Sequence, residues 1–319
     1  MVNLVEAEKS LVEGLVKLAG LRRTTIEIDA DHRTIMSIWA PKAYQNINNN
    51  KKTKNKKKKK KDKPAVVLVH GFAADGIVTW QFQVGALINK YDVFVPDLLY
   101  FGESKSSSSD RLPEFQARCL ASALARLGVA RCAMVGFSYG GMVALKLTEM
   151  WPELVSHLVV SGAAIAFTDS INEAMLGRLG FASLAEFLLP ESVEGVKDLF
   201  TVATYKKLWL PHCLYRHYLQ SMFGDRKDRA ELLEGIMVRD KDAAVPAALP
   251  ERILLLWGEN DNIFNIEMAN NLKKQLGDKA TLQVIKKAGH LVHLERPCTY
   301  NRHLKEFLEQ FVIDNTINK

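Results

Sequence analysis

The stretch Val135-Gly136-Phe137-Ser138-Tyr139-Gly140-Gly141 limits what this chain can fold into more than any other. Before it stands Arg131-Cys132-Ala133-Met134-Val135, short and apolar enough for a buried strand. After it, Met142, Val143, Leu145, Leu147 and Met150 mark a largely apolar helix that stops at Pro152. A Gly-x-Ser-x-Gly between a strand and a helix demands a turn so sharp that the serine adopts a strained backbone and its neighbours are small. Gly136, Gly140 and Gly141 meet that demand. The N-terminus of the following helix then points free N–H groups and a partial positive charge at the place where an oxyanion would form. An ordinary glycine-rich turn carries the same five positions, so the rest of the chain has to decide.

The rest alternates. Ala65–Val69 is a continuous apolar run, as a strand buried on both faces requires. Trp80–Asn89 reads as a helix, Val93–Asp97 as a strand, Pro113–Leu127 as a helix closed by Gly128, and Leu158–Ser161 as a strand beyond the elbow. Ahead of these, Thr25–Asp29 and Arg33–Trp39 form an antiparallel hairpin about an Ala30-Asp31-His32 turn. After Ala164 the alternation breaks until about Val245. That segment is helix-like and too rich in Phe, Met, Tyr and Leu for a loop. It predicts a helical cap over 164–245, inserted into a core of 21–163 and 246–319. Its apolar side chains either pack the cap on the body or line a pocket above Ser138. Alternation resumes with Ile253–Trp257, a helix over Ile266–Leu276 ended by Gly277, and a strand over Thr281–Ile285. A last helix from about Thr299 has Tyr300, Leu304, Phe307, Leu308 and Phe311 on one face. Strands and helices in this order predict an α/β fold with a mainly parallel sheet, in which ligands bind at the carboxyl ends of strands. Ser138 is at such an end.

The formal net charge of +7 misleads, because Lys51–Lys63 holds ten lysines against one aspartate. Without that run the chain is slightly acidic, which excludes a basic nucleic-acid-binding core. Residues 43–63 lack the apolar content to fold and read as a disordered Asn/Lys-rich loop. Lys51–Lys63 suits a contact with acidic lipid or another acidic partner, a nuclear-import signal, an RNA tether, or nothing beyond a solvated loop. Residues 1–20 form an amphipathic helix in which Leu4, Leu11, Leu15 and Leu18 run beside Val5, Val12 and Val16. With glutamates as well as lysines on its polar face, this helix is expected to pack on the domain edge rather than on a membrane. Cys119, Cys132, Cys213 and Cys298 lie far apart without metal-type spacing and read as buried reduced thiols. Glu6, Glu8 and Glu13 stand where a signal peptide is apolar, and no run approaches a membrane span, so a soluble cytoplasmic protein is expected. The oligomeric state is not legible.

A serine hydroxyl becomes a nucleophile when a base takes its proton, and histidine does this best near neutral pH. A buried carboxylate then fixes the imidazole tautomer. In the order Ser, Asp, His, each after a strand, the chain offers Ser138, Asp261 and His290. Glu259 and Asp169 are alternative acids and His293 an alternative base, whereas His70 is better placed to brace the loop His70-Gly71-Phe72. Two backbone N–H groups, of Phe72 and of Tyr139, are placed to form an oxyanion hole.

Through His70-Gly71-Phe72, Asp97 to Ser104, Gly136 to Gly141, Trp257 to Asp261 and Ala288 to His290, the chain resembles the α/β-hydrolase superfamily. The likeness spans about residues 21 to 312. It is strongest to the branch of monoacylglycerol lipases and carbon–carbon bond (meta-cleavage product) hydrolases, and within it to plant members. The resemblance implies an eight-stranded sheet with antiparallel first strands, a helical cap, no cofactor and no metal. It also implies that the triad and oxyanion donors are the residues just named. The expected activity is hydrolysis of a small carboxylic ester with an apolar acyl or aromatic part, through an acyl-enzyme. Epoxide hydrolases and haloalkane dehalogenases of this fold need a carboxylate nucleophile where this chain has Ser138. Three other readings stay open: a lysophospholipid acyltransferase, whose His-x-x-x-x-Asp spacing ends here in Glu295, a carbon–carbon hydrolase, and a non-catalytic receptor of small molecules. The lysine run is foreign to the family core, and the cap is the part that transfers least.

Overall fold

A computed structural model describes residues 2–29, 33–47, 63–243, 249–250 and 252–317. Helix α1 (Leu4–Leu18) begins at Asn3, whose side chain accepts the Val5 and Glu6 N–H groups. Then β1 (Leu21–Glu27) and β2 (Thr34–Pro41) pair antiparallel, with Leu21 opposite Pro41 and Glu27 opposite Ile35. β3 (Ala65–Val69), the short helices α2 (Gly76–Thr79) and α3 (Gln81–Leu87), β4 (Asp92–Pro96) and a two-residue β5 (Lys105–Ser106) follow. Helix α4 (Pro113–Arg126), β6 (Cys132–Phe137), α5 (Tyr139–Met150) and β7 (Val155–Ser161) complete the first half.

Next come β8 (Phe167–Thr168) and the helices α6 (Asp169–Leu179), α7 (Leu184–Leu188), α8 (Val193–Ala203), α9 (His212–Met222) and α10 (Arg226–Gly235). A two-residue β9 (Met237–Val238) pairs with β8. The chain closes with β10 (Arg252–Gly258), α11 (Ile266–Leu276), β11 (Ala280–Ile285), α12 (Val292–Glu295) and α13 (Pro297–Ile317).

The main sheet has the order β1-β2-β4-β3-β6-β7-β10-β11, with β5 added to β2. Along that order every pairing from β4 to β11 is parallel, whereas β2 pairs antiparallel with β1, β4 and β5. All six residues of β6 are buried because the sheet is covered on both sides. Val67, Val69 and Met134 pack with Leu120 of α4 and Val143 of α5. Val66, Leu68 and Val135 pack on the other face with Val84 of α3 and Leu304 of α13. β6 lies between β3 and β7, so Ser138 leaves the sheet with a strand end on either side.

Several expectations are corrected in detail. The hairpin starts at Leu21 rather than Thr25, since Leu21–Arg23 pair with Trp39–Pro41, and its expected turn at 30–32 lies outside the described residues. The helix expected over Trp80–Asn89 forms as α3, which is shorter at both ends, and α2 precedes it unforeseen; the two are separated at Trp80, whose indole is fully buried near His293 and Tyr300. Lys42–Ile47 is a 3-10 helix in which the Tyr44 hydroxyl donates to Asp92, which corrects the disordered loop expected over 43–63 at residues 43–47. At its far end Lys63 Nζ donates to the Ile88 carbonyl, and Lys51–Lys61 lie outside the described residues. Only half of the α1 stripe is covered: Val5, Val12 and Val16 are buried, whereas Leu4, Leu11, Leu15 and Leu18 are exposed. All four cysteines are free, but Cys298 is exposed and Cys213 partly so, because both sit on helices at the surface. Among the described residues no helix is long and apolar enough to cross a membrane.

Candidate active site

Ser138 has φ +54° and ψ −124°, a conformation that costs a non-glycine residue about 1–3 kcal/mol and persists only where the surroundings enforce it. Three close approaches enforce it. A Cβ on Gly140 would stand 2.2 Å from the His70 carbonyl oxygen, one on Gly136 2.6 Å from the Gly140 oxygen, and one on Gly141 2.6 Å from Ala163 Cβ. The Ser138 N–H donates to the Ser161 oxygen at the end of β7, at 2.9 Å. The half-buried serine is therefore held by both neighbouring strands.

Asp261 and His290 come from the ends of β10 and β11. His290 Nδ1 lies 2.8 Å from Asp261 Oδ2, and Asp261 Oδ1 accepts the Ile263 and Phe264 N–H groups at 2.8 and 2.9 Å. A carboxylate so bound keeps the imidazole proton on Nδ1 and leaves Nε2 as the basic nitrogen. The ring sits between Phe137, 4.8 Å away between centroids, and Phe264, stacked at 5.9 Å. Glu259 does not compete, since its carboxylate accepts the Lys287 N–H, and Asp169 stands in the first turn of α6. His293 is fully buried beside Phe137 and Trp80, and burial together with His290 pushes its pKa down to about 3.

The loop after β3 runs against the serine. A Cβ on Gly71 would lie 3.1 Å from Ser138 Cβ and 2.9 Å from the Phe137 ring. His70 braces that loop. Its Nε2 accepts the Leu98 N–H at 2.9 Å, so Nδ1 carries the proton and donates to the Gly71 oxygen at 2.7 Å. Full burial lowers the His70 pKa to about 4, which keeps this tautomer neutral. The rings of Phe72 and Tyr139 meet edge to face at 5.9 Å, so the two expected oxyanion donors stand on adjoining segments. Among the described residues neither of their N–H groups donates to a backbone carbonyl.

Ser138, His290, Phe72 and Tyr139 all line one cavity of about 320 Å³. The inserted helices roof it with Met175, Phe187, Leu199, Leu214, Tyr218 and Ile236. That size and this apolar lining suit a small organic ligand.

The part that two residues play is not given by any motif. Gly162, with φ +55°, lies against the histidine: a Cβ there would stand 2.7 Å from His290 Cε1. Its place just after an apolar strand is the one signal that could have found it. Glu295 accepts the Gly289 N–H at 2.6 Å through one oxygen and the Tyr205 N–H at 2.8 Å through the other. The Leu291 N–H also donates to the Ala203 oxygen, so the histidine loop is fastened to the end of α8.

Comparison with known proteins agrees with this architecture. The family described as alpha/beta hydrolase fold matches residues 64–297. "Epoxide hydrolase 3" of Xenopus tropicalis is 26% identical over 270 residues, covering 77% of this chain and 72% of its own. "Lipase 1" of Psychrobacter immobilis is 27% identical over 235 residues, covering 72% of each. Among solved structures, 2-hydroxy-6-oxo-6-phenylhexa-2,4-dienoate hydrolase from a Rhodococcus species superposes with a TM-score of 0.72 at 20% identity. That match covers 91% of this chain and 99% of the other. These relatives carry out different reactions on one scaffold, so what they share with this chain is the fold. The chain belongs to the alpha/beta hydrolase fold family.

Proposed function

We propose that this chain is a serine hydrolase that cleaves carboxylic esters with an apolar acyl or aromatic part. In this reading His290 takes the proton of Ser138 as its oxygen attacks the ester carbonyl. The resulting oxyanion settles on the N–H groups of Phe72 and Tyr139. The alcohol then leaves with the proton held by His290, and water, activated by the same histidine, releases the acid and frees the serine. Donors of the oxyanion-hole kind are worth about a hundredfold to a thousandfold in rate each, because they meet charge that develops only in the transition state. The helices α6 to α10 serve as a lid that gives the acyl part an apolar enclosure.

The observation that carries the reading is the His290–Asp261 pair set in the wall of the same apolar cavity that holds Ser138. Against an acyltransferase, Glu295 has both carboxylate oxygens engaged by backbone N–H groups, which leaves no free acid in the His-x-x-x-x-Glu segment. Against an epoxide hydrolase, the elbow presents a hydroxyl in place of a carboxylate.

The test is a series of p-nitrophenyl esters of rising acyl length, assayed with the wild type and with Ser138→Ala. The reading expects activity that rises beyond the shortest acyl chains and falls at least a thousandfold in the variant. Turnover that survives Ser138→Ala would remove the mechanism, and a maximum at acetate would remove the apolar acyl site.

A further inference from the structure

Helix α1 lies outside the segment matched by the family, residues 64–297, yet it is built into the cavity. Its buried Val5 and its solvent-exposed Glu8 line the pocket beside Ala73 and Tyr218. Lys9 Nζ stands 2.6 Å from the buried Asp75 carboxylate, on the loop that carries Phe72. At its start, the Asn3 amide donates to Ser221 Oγ and the Leu4 N–H donates to His217 Nδ1, both at 3.1 Å, which fastens the helix to α9. The Tyr218 hydroxyl of α9 in turn donates to the Ala73 oxygen. One N-terminal helix thus touches both the loop of the oxyanion donors and the inserted helices.

The cavity lining carries little charge. Apart from His290 and His293, Glu8 is the one ionisable acid or base among the described lining residues other than tyrosines, and no lysine or arginine is present. The phenols of Tyr215 and Tyr218 are already donated to the Leu208 and Ala73 carbonyls. A carboxylate carried into this space on an acyl chain would lose its hydration without meeting a cation, and would approach the Glu8 carboxylate. We propose that α1 is a specificity element for the ester hydrolysis inferred above. It selects uncharged acyl chains, and Glu8 turns away esters whose acyl chain ends in a carboxylate. This rests on the esterase reading for the reaction but not for the charge preference itself.

The experiment uses the full-length chain and two p-nitrophenyl esters of equal length, the octanoate and the monoester of suberic acid. The wild type favours the octanoate in kcat/KM. That preference drops about threefold in Glu8→Gln and, since the change in charge doubles, about tenfold in Glu8→Lys, with both effects shrinking in high salt. Glu6→Lys makes the same charge change on a residue of α1 that is exposed like Glu8 but does not line the cavity, and shifts the preference by less than about twofold. An unchanged preference in Glu8→Lys, or an equal shift in Glu6→Lys, overturns the proposal. If neither ester is turned over, the esterase reading falls, and calorimetric titration with 2-decanone and decanoate decides the role of Glu8 separately. Tighter decanoate binding relative to the ketone in Glu8→Lys supports that role, and equal relative affinities sink it.

Discussion

Gly162 abuts His290 so closely that one added carbon at its Cα would stand 2.7 Å from the imidazole Cε1 and 2.8 Å from Nδ1. The same carbon would lie 3.2 Å from Asp261 Oδ2. The neighbour that would have to yield is the hydrogen-bonded pair itself, and the backbone there has φ +55°, where an L side chain is strained. Gly162→Ala should therefore displace the imidazole rather than be absorbed. A misplacement of about 1 Å costs roughly a hundredfold in rate, and the left-handed backbone adds about 1–2 kcal/mol of destabilisation. Steady-state kinetics on a p-nitrophenyl ester beside a thermal melt would test this. A variant with wild-type kcat/KM would mean that His290 does not work from the position seen.

Glu295 offers a different kind of test, because it acts through two other groups. One oxygen holds Gly289, directly before the histidine, and the other holds Tyr205, two residues past the end of α8. Hydrogen bonds to a charged acceptor contribute about 1.5–3 kcal/mol each, so the residue couples the position of α8 to that of the histidine. Glu295→Gln keeps one acceptor oxygen and should lower kcat about tenfold, with a smaller change in KM. Tyr205→Pro removes the N–H on the α8 side, together with an exposed tyrosine side chain, and leaves the Gly289 donor in place. Thr204 is already extended (φ −116°, ψ 147°), the conformation favoured before proline, so this change is compatible with the preceding residue. The prediction is a kcat loss of the same sense in both variants. A fall in melting temperature with kcat untouched in either would reduce Glu295 to a scaffold residue.

Much of this site can be read from the chain because its parts sit at the ends of apolar runs. Ser138 and Asp261 follow strands that are apolar apart from Arg252, His290 follows a strand in which Thr281 and Gln283 interrupt the apolar residues, and a parallel sheet brings such ends to one edge. What cannot be read is contact between segments that share no local period. Nothing in the composition near Glu295 says that its carboxylate reaches Tyr205, because that pairing depends on how the inserted helices come down on the core. The leucines and valines of α1 show the same limit. They form neighbouring stripes of equal hydrophobicity, and the packing of β1, α2, α3 and α9 decides that the valines are covered and the leucines left exposed. The two-residue strands β5, β8 and β9 are too short to leave any alternation.

His293 supplies a prediction about stability that is independent of turnover. Its ring is fully buried among Phe137, Trp80 and Tyr300, with neither nitrogen hydrogen-bonded, and its pKa is lowered to about 3. In the unfolded chain the same group titrates near 6.5, so below that pH unfolding takes up a proton that the fold refuses. Stability present above about pH 6.5 is thus lost as pH falls towards 3, at about 1.4 kcal/mol per pH unit. His70, lowered to about 4, adds a second loss over the upper part of that range. Asp97 opposes both: burial and the nearby Asp75 raise its pKa to about 7, so it keeps a proton that the unfolded chain releases near 3.8. Its contribution is fully present below about 3.8 and disappears as pH rises through 7. With two groups on one side and one on the other, wild-type stability should fall between pH 6.5 and 4. His293→Leu removes one acid loss together with two unsatisfied nitrogens. At pH 7 it should be neutral or stabilising by about 1 kcal/mol, and at pH 5 it should gain about 2 kcal/mol more relative to wild type. Urea unfolding of both proteins at the two pH values measures the difference, and equal pH dependence in the pair would show that this buried histidine does not stay neutral in the fold.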